Sequence, residues 1–276
     1  MLTEAELDKG INEIPPLPEA VTDAMALLNC EEVDFYKLHS SITQDVSLSG
    51  RVLAVSNSSF YGMPGQIGSV KEACVILGTH TLRNVILAAG MIGEFPADAS
   101  NNINISELWR HAYATGVTAR LLAYECDIDQ EKAFTAGLLH DIGKMVLDVY
   151  FSAQYHEVIQ YRDKTDCLLR DAEMHILGFS HALVGSKLAS CWHLPDEIVS
   201  AIRGHHLDDS QISPFNDVIH IADIVSRALD IGDAGDSLVP VLNEQALRRI
   251  GMTLSQVAVM FPKIEMTMEA SRELLA

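Results

Sequence analysis

The chain is 276 residues long, 48% hydrophobic and strongly acidic, with a formal net charge of −19 at pH 7. This length and hydrophobic content suffice for a large core, whereas the charge argues against non-specific binding to DNA or to an anionic membrane, since both need a basic surface. The five cysteines are scattered and form no C-x-x-C pair. This pattern argues against a zinc–thiolate site or a disulfide framework and favours a reducing cytoplasm.

The first residues, MLTEAELDKG, are acidic and polar, unlike a secretory signal peptide. No apolar run approaches the roughly 20 residues that a membrane span needs. We therefore expect a cytoplasmic protein that does not associate with membranes.

Apolar residues recur at helical spacing along most of the chain, and strand-like alternation is not evident. In the N-terminal part, PPLPEAVTDAMALL places Val21, Met25 and Leu28 on one helical face. VDFYKLHSSI and DVSLSGRVLAVSNSSF predict the next two helices. The loop GMPGQIG then precedes Ser69 and Glu72, whose spacing predicts a capping box for a fourth helix, and TLRNVILAAGMIG predicts a fifth.

A polar stretch at 94–106, rich in asparagine and serine, predicts a linker. After it, helices are predicted at about 107–125, 130–149, 152–162, 165–177, 181–192, 195–205 and 216–229. We expect an all-α protein with an N-terminal helical part at 1–95 and a helical bundle with a C-terminal helical tail at 107–276.

Two carboxylates interrupt apolar helical patterns: Asp141, which follows His140 in LLHDIGKMVL, and Asp223 in VIHIADIVSRAL. A carboxylate buried without a partner is strongly unfavourable, so such groups pair, protonate or bind a metal. Further candidate ligands on other predicted helices are Glu107, His111, His181, His205 and His206. Because carboxylates with several imidazoles suit iron, manganese, nickel or zinc, we predict one or two divalent ions of this group.

Simpler interpretations of the same residues exist. A buried aspartate could pair with Arg110 or Arg227 instead of a metal. The pair His205-His206 could form an exposed helix end, where the helix dipole favours a protonated ring. The other histidines are interpreted as ordinary core or surface groups: His39, His80, His156, His175, His193 and His220.

The segment AGLLHDIGK resembles the signature of the HD superfamily of metal-dependent phosphohydrolases. In that superfamily an upstream histidine, the His-Asp doublet and a later aspartate bind a metal, and the matching residues here are His111, His140, Asp141 and Asp223. The related HD-GYP phosphodiesterases add ligands that are matched by Glu107, His181, His205 and His206. No G-Y-P follows the His-His pair, so the resemblance does not extend to a cyclic-dinucleotide substrate.

From about residue 12 to residue 229 the chain is more similar to the HDOD domain, a bacterial signalling relative of the HD and HD-GYP domains. The blocks SNSSFYG and I-x-S-V-x-E-A-x-x-x-L-G are the specific part of this similarity. HDOD proteins often lack the metal ligands, which this chain retains. The resemblance thus implies a regulatory module with a retained metal site, a signalling protein as partner, and a nucleotide or other phosphate ligand.

The alternative that the resemblance implies is a metal-dependent phosphohydrolase. In that case Asp141 and Lys144 are the predicted catalytic residues, with Asp141 bridging the metals and Lys144 offsetting phosphate charge near the mouth of a cavity. The N-terminal helices or the 207–215 loop would narrow that mouth. The SNSSFYG segment is expected either to anchor the N-terminal part through its aromatic residues or to present a surface for a partner.

Overall fold

The computed structural model describes residues 2–28, 30, 32–57, 67–95, 102–206 and 213–270. Within these residues the regular structure is helical and contains no strand, which confirms the predicted all-α class. None of the described helices combines the length and apolar character that a membrane crossing requires. Most of the SNSSFYG segment, at 58–62, and residues 207–212 of the loop expected to narrow the mouth lie outside the described residues.

The fold divides into two compact units. The large unit comprises Met1–Ile14 and Ala97–Glu265, and the small unit comprises Pro15–Pro96 and Met266–Ala276. Residues 2–14, which were expected in the N-terminal helical part, group with the large unit in the structure.

Four complete helices lie in the described residues of the small unit, where α2 packs against α3 and α5, and α4 packs against α5. These helices are α2 (Glu19–Leu28), α3 (Phe35–Gln44), α4 (Val46–Ser56) and α5 (Val70–Glu94). Ser69 caps α5, since its side chain accepts a hydrogen bond from the amide of Glu72 at 3.1 Å. Only half of the predicted capping box forms, because the carboxylate of Glu72 accepts from the amide of Gly68, at 2.8 Å, and not from that of Ser69. The helix is kinked at Gly78, whose φ of 70° is a conformation that glycine adopts without strain.

The large unit contains the histidine-rich part of the chain. Its helices are α1 (Glu4–Glu13), α6 (Ile105–Glu125), α7 (Gln130–Leu139), α8 (Ile142–Tyr150), α9 (Ser152–Thr165), α10 (Leu169–Ile176), α11 (His181–Cys191), α12 (Asp196–Gly204), α13 (Pro214–Ala228), α14 (Glu244–Arg249) and α15 (Leu254–Ala258). The last helix, α16 (Phe261–Ala270), starts in this unit. Helix α6 packs against α7 and α13, and α11 packs against α8 and α12.

Helix α1 packs on α11 within the large unit. Leu7 and Ile11 form its buried face. On the exposed side, the carboxylate of Asp8 lies 2.6 Å from Nζ of Lys187, on α11. Apolar burial and an ion pair thus hold the N-terminal helix in place.

The expectation of one helix over 130–149 is wrong, because the helix is broken at the His-Asp doublet. Helix α7 ends at Leu139, and α8 begins at Ile142. His140 is the C-cap of α7, while Asp141 has φ −99° and ψ 7° and precedes the first residue of α8. In a continuous helix adjacent side chains diverge by about 100° around the axis. The break removes this restriction on where the two side chains point.

Two close helix crossings depend on glycine. An added Cβ on Gly137 of α7 would lie 2.8 Å from Cα of Gly116, on α6. An added Cβ on Gly143 of α8 would lie 2.0 Å from the carbonyl oxygen of His181 and 2.7 Å from the amide nitrogen of Gly185, both on α11. Backbone therefore contacts backbone at both crossings, and these contacts set the positions of the helices that present the polar residues.

Replacing Gly143 by alanine tests the second crossing. The atoms that a methyl group would meet belong to backbone, which cannot rotate away as a side chain can. We expect Gly143→Ala to lower the free energy of unfolding by about 3 kcal/mol, as overpacking does elsewhere. Gly50→Ala in α4 is the control: an added Cβ there meets no atom within 4 Å. It should leave stability unchanged or raise it by up to about 1 kcal/mol, the usual gain of alanine over glycine in a helix. Equal urea midpoints for both variants would contradict the packing argument.

Candidate metal centre

The polar residues singled out in the sequence come from five places in the large unit and meet in its interior. His111 lies on α6, Asp223 on α13 and His181 at the start of α11, whereas the doublet lies between α7 and α8 and the His-His pair follows α12. Their exposed fractions are close to zero: His111 0%, His140 0%, Asp141 1%, His181 1%, His205 0% and Asp223 2%. His206 is half-buried. Such a concentration of buried polar groups requires partners for each of them.

A first cluster joins His111, His140 and Asp141, with Asp223 beside them. Nε2 of His111 lies 3.1 Å from Oδ1 of Asp223, and Nε2 of His140 lies 3.2 Å from Oδ2 of Asp141. Neither of these nitrogens, nor Oδ1 of Asp141, has a hydrogen-bond partner among the described residues. Buried donor and acceptor atoms without partners are uncommon in folded proteins, and a bound cation is one way to satisfy them.

A second cluster joins His181, His205 and His206. Nε2 of His181 lies 3.4 Å from Nε2 of His205 and 2.9 Å from Nε2 of His206. Asp141 connects the two clusters, since its Oδ1 lies 3.1 Å from Nε2 of His181 and 3.8 Å from Nε2 of His205. One carboxylate therefore faces both groups of imidazoles.

The orientation of three rings is fixed by the nitrogen that points away from the clusters. Nδ1 of His140 lies 2.6 Å from the carbonyl oxygen of Gly137, and Nδ1 of His205 lies 2.7 Å from that of Ile202. Nδ1 of His181 lies 2.6 Å from Oε2 of Glu173. Carbonyl and carboxylate oxygens only accept, so Nδ1 donates in each case and Nε2 is the nitrogen available to a metal.

Cations hold both aspartates in the ionised form. Burial alone would raise the pKa of Asp141, but the positive charges of His140 and Lys144 outweigh it and hold that pKa well below its usual range. Burial likewise opposes ionisation of Asp223, and here Arg227, 3.0 Å away, provides the largest compensating charge and lowers the pKa. The pairing of a buried aspartate with Arg227, one of the alternatives to metal binding, is therefore present. Asp223 also lies beside His111 of the first cluster, so the ion pair and the cluster occur together.

The imidazoles experience different environments. Burial would lower the pKa of His140, yet Asp141 and Asp223 outweigh it and raise the pKa to about 9. At His205 burial dominates, and together with the nearby His140 it holds the pKa well below the usual value. His140 must therefore release the proton on its Nε2 before that nitrogen can bind a metal, whereas His205 stays neutral and can coordinate without losing a proton.

Two of the predicted site residues have other surroundings. Lys144 is fully buried, and its Nζ lies 2.6 Å from Oδ2 of Asp141 and 2.7 Å from the carbonyl oxygen of Ala234. The ammonium group therefore neutralises Asp141 and holds the segment around Ala234. Glu107 belongs to neither cluster; its side chain is 41% exposed and lies 3.6 Å from Nη1 of Arg110.

Glu173, which is fully buried on α10, contacts the centre but was not among the predicted site residues. Its Oε2 accepts hydrogen bonds from the amide of His181 at 2.8 Å and from the ring of the same residue, and its Oε1 accepts one from the hydroxyl of Tyr155 at 3.1 Å. The signal was present in LRDAEMHIL, because Glu173 lies one turn after Leu169 on the buried face of the helix. His220, which was interpreted as an ordinary core or surface histidine, also contacts the centre. Its Nδ1 lies 2.9 Å from the backbone carbonyl oxygen of His205.

Two solved structures share this fold over almost the whole of both chains. An HDOD domain protein of unknown function from Geobacter sulfurreducens has a TM-score of 0.80 and 24% identity, over 98% of this chain and 96% of its own. A candidate phosphohydrolase from Shewanella amazonensis SB2B has a TM-score of 0.79 and 23% identity, over 100% of both chains. At such identities the likeness establishes the fold alone.

Sequence relatives extend beyond the region that they share with this chain. An uncharacterised protein of Treponema pallidum is 27% identical over 269 residues, which are 91% of this chain and 50% of that protein. Ribonuclease Y of Desulfotalea psychrophila is 34% identical over 158 residues, which are 57% of this chain and 24% of the enzyme. The chain thus spans about half the length of the first relative and about a quarter of the second. The HDOD domain family matches residues 14–207, more than two thirds of the chain, and the protein therefore belongs to the HDOD family.

Proposed function

We propose that this HDOD protein is a signalling module whose buried histidine–aspartate centre binds one or two divalent metal ions. The main support is that a full set of ligand types converges in a nearly solvent-free interior, with Asp141 facing both clusters. A buried centre of this kind suits an ion that stabilises one arrangement of helices, because binding to the folded state alone contributes directly to stability.

The donor atoms fit a transition metal. His111, His140, Asp141 and Asp223 would hold a first ion, and His181, His205 and His206 with Oδ1 of Asp141 would hold a second. Imidazole nitrogens with few carboxylates favour iron, manganese, nickel or zinc over calcium or magnesium. Glu107 stays a prediction from the sequence, since its carboxylate lies outside both clusters.

The surroundings of Lys144 favour the regulatory proposal over hydrolysis. A hydrolase needs a cation that can reach the substrate phosphate. Here the ammonium group of Lys144 is buried between Asp141 and the carbonyl oxygen of Ala234, where it balances internal charge. A signalling role therefore needs less rearrangement of the described residues than catalysis does.

Metal-dependent phosphodiester hydrolysis is the second candidate function. The partial likeness to ribonuclease Y supports it, as does His206, the one half-buried member of the clusters and thus the side from which a substrate could approach. In this case the ions would supply Lewis-acid activation of the phosphoryl group. Asp141 would orient the surrounding imidazoles, and Asp223 would be kept ionised by Arg227.

The metal itself is the first test. We expect purified protein to retain at least one divalent ion after dialysis, and Asp141→Ala to lose it, because this residue contacts both clusters. Elemental analysis by mass spectrometry gives the metal content. Asp23→Ala, on the exposed face of α2, is the matched control and should retain the wild-type content. Wild-type protein that stays metal-free after incubation with manganese, iron, nickel and zinc salts would refute the proposal.

The number of ions distinguishes the two clusters. If both bind, metal-replete protein contains two ions per chain, and His206→Ala should reduce this to one, since the first cluster does not use His206. His175→Ala is the control, because that ring stacks on Tyr161 away from the clusters. One ion per chain in both wild type and His206→Ala would show that the second cluster does not hold a metal.

Hydrolysis separates the two candidate functions. We expect manganese-loaded protein to turn over a cyclic dinucleotide, a linear dinucleotide and bis(p-nitrophenyl) phosphate no faster than Asp141→Ala does, because the centre is enclosed and Lys144 is engaged internally. Product formation followed by chromatography is the measurement. Turnover by wild type that disappears in the variant would replace the regulatory proposal by the enzymatic one.

A further inference from the structure

Residues 231–238, between α13 and α14, form a strap beside the first cluster that is neither helix nor strand. The first part of the strap is fixed to α6 through backbone. An added Cβ on Gly232 would lie 2.4 Å from the amide nitrogen of His111, and the amide of Asp233 donates to the carbonyl oxygen of Glu107 at 3.2 Å. The first part of the strap therefore lies directly against the helix that carries His111.

The second part of the strap is held by two buried cations. Nζ of Lys144 lies 2.7 Å from the carbonyl oxygen of Ala234. Nη1 of Arg227 lies 2.8 Å from Oδ1 of Asp236 and 3.1 Å from the carbonyl oxygen of Leu238. The side chains of Lys144 and Arg227 are only 0% and 6% exposed, so both cations depend on these acceptors in place of water.

Each of the two cations also contacts an aspartate of the centre. Nζ of Lys144 lies 2.6 Å from Oδ2 of Asp141, and Nε of Arg227 lies 3.0 Å from Oδ1 of Asp223. Each cation thus has the strap on one side and a carboxylate of the centre on the other. The strap and the centre are therefore connected through the same two side chains.

The two carboxylate oxygens involved are the ones that face the first cluster. Oδ2 of Asp141 lies 3.2 Å from Nε2 of His140, and Oδ1 of Asp223 lies 3.1 Å from Nε2 of His111. A metal ion bound by these imidazoles would therefore share both oxygens with the two buried cations.

We propose that the strap responds to metal: an ion held by the first cluster displaces the two buried cations from their aspartates and thereby loosens residues 234–238. This inference rests on the metal binding proposed above. It gives Lys144 and Arg227 a second role, because each connects an aspartate of the centre to the strap.

The physical cause is repulsion between positive charges. Like charges repel strongly in a dry interior, where solvent does little to screen them. Binding of a divalent ion at the two oxygens therefore drives the ammonium and guanidinium groups away from the aspartates. Since these groups also hold Ala234 and Asp236, the second part of the strap has to move with them or lose their bonds. In either case it is held less firmly, whereas the first part stays on α6.

The second part of the strap also forms one wall of a surface cavity of about 240 Å³. Gly235, Asp236 and Ser237 line the cavity from the strap, and Arg162 and Cys167 line it from the end of α9 and the turn that follows. A looser strap changes the shape of this cavity. An ion bound in the interior therefore alters the surface of the large unit, as a signalling module requires.

Hydrogen–deuterium exchange of the full chain, measured by mass spectrometry, tests the inference. Metal is first removed with chelator, and exchange is compared with that of the same protein saturated with manganese, whose metal content is measured by elemental analysis. We expect peptides covering 234–238 to exchange about fivefold faster with manganese bound. An ion that only stabilised the fold would slow exchange or leave it unchanged in every segment, so faster exchange confined to the strap distinguishes the two cases.

Arg162→Gln tests the coupling from the strap without changing a ligand. The guanidinium group of Arg162 donates to the carbonyl oxygen of Gly235. We expect the variant to exchange faster at 234–238 in chelator and, because coupling is reciprocal, to bind manganese severalfold more tightly in isothermal titration calorimetry. Arg248→Gln, at a side chain 76% exposed on α14, is the control and should match wild type in both measurements. Circular dichroism melting shows that each variant is folded.

The outcomes separate this inference from the proposed function. Manganese that binds with unchanged or slower exchange at 234–238 overturns the role of the strap and leaves the proposed metal binding in place. An Arg162→Gln variant with wild-type exchange or wild-type manganese affinity overturns it as well. Protein that binds no ion in the elemental analysis refutes the proposed function, and the inference about the strap with it.

Discussion

The carboxylate of Asp141 is the group on which the centre depends, because its two oxygens face two different clusters. Oδ2 lies 2.6 Å from the ammonium group of Lys144 and 3.2 Å from His140, while Oδ1 lies 3.1 Å from His181. A negative charge in so dry an environment is tolerated only with cations and donors on every side. The identity of the surrounding residues, and the break between α7 and α8 that allows Asp141 to face them, follow from this requirement.

Much of this arrangement could be predicted from the sequence. Apolar spacing predicted most of the helices, and Ser69 was identified as a cap from its position before Glu72. The polar residues inside apolar runs were good indicators of a common centre, since Asp141 and Asp223 are both buried and both lie beside His111 and His140. The spacing of apolar residues along the sequence is enough to predict the position of a residue whose surroundings are set by its own helix.

The remaining features depend on contacts between distant segments. The break at His140-Asp141 was missed because the apolar pattern continues from α7 into α8 without a proline at the junction. The role of Lys144 was predicted from its place one turn beyond the doublet, whereas its partner, the carbonyl oxygen of Ala234, lies 90 residues further on. Glu173 was overlooked because a single acidic residue in an amphipathic helix usually faces solvent.

The contact between α8 and α11 has a mechanical consequence. Where Gly143 meets the backbone of His181, no side chain lies between the two main chains that could tilt or change rotamer to absorb a small displacement. Moving the two helices closer together would force backbone atoms into each other, so the pair resists compression at this point. Asp141 and His181 flank this contact, so the backbones that carry them are set against each other without an adjustable side chain between them. The His-His pair at the end of α12 has no comparable backbone contact with α8 among the glycine crossings described, so side-chain packing positions it instead.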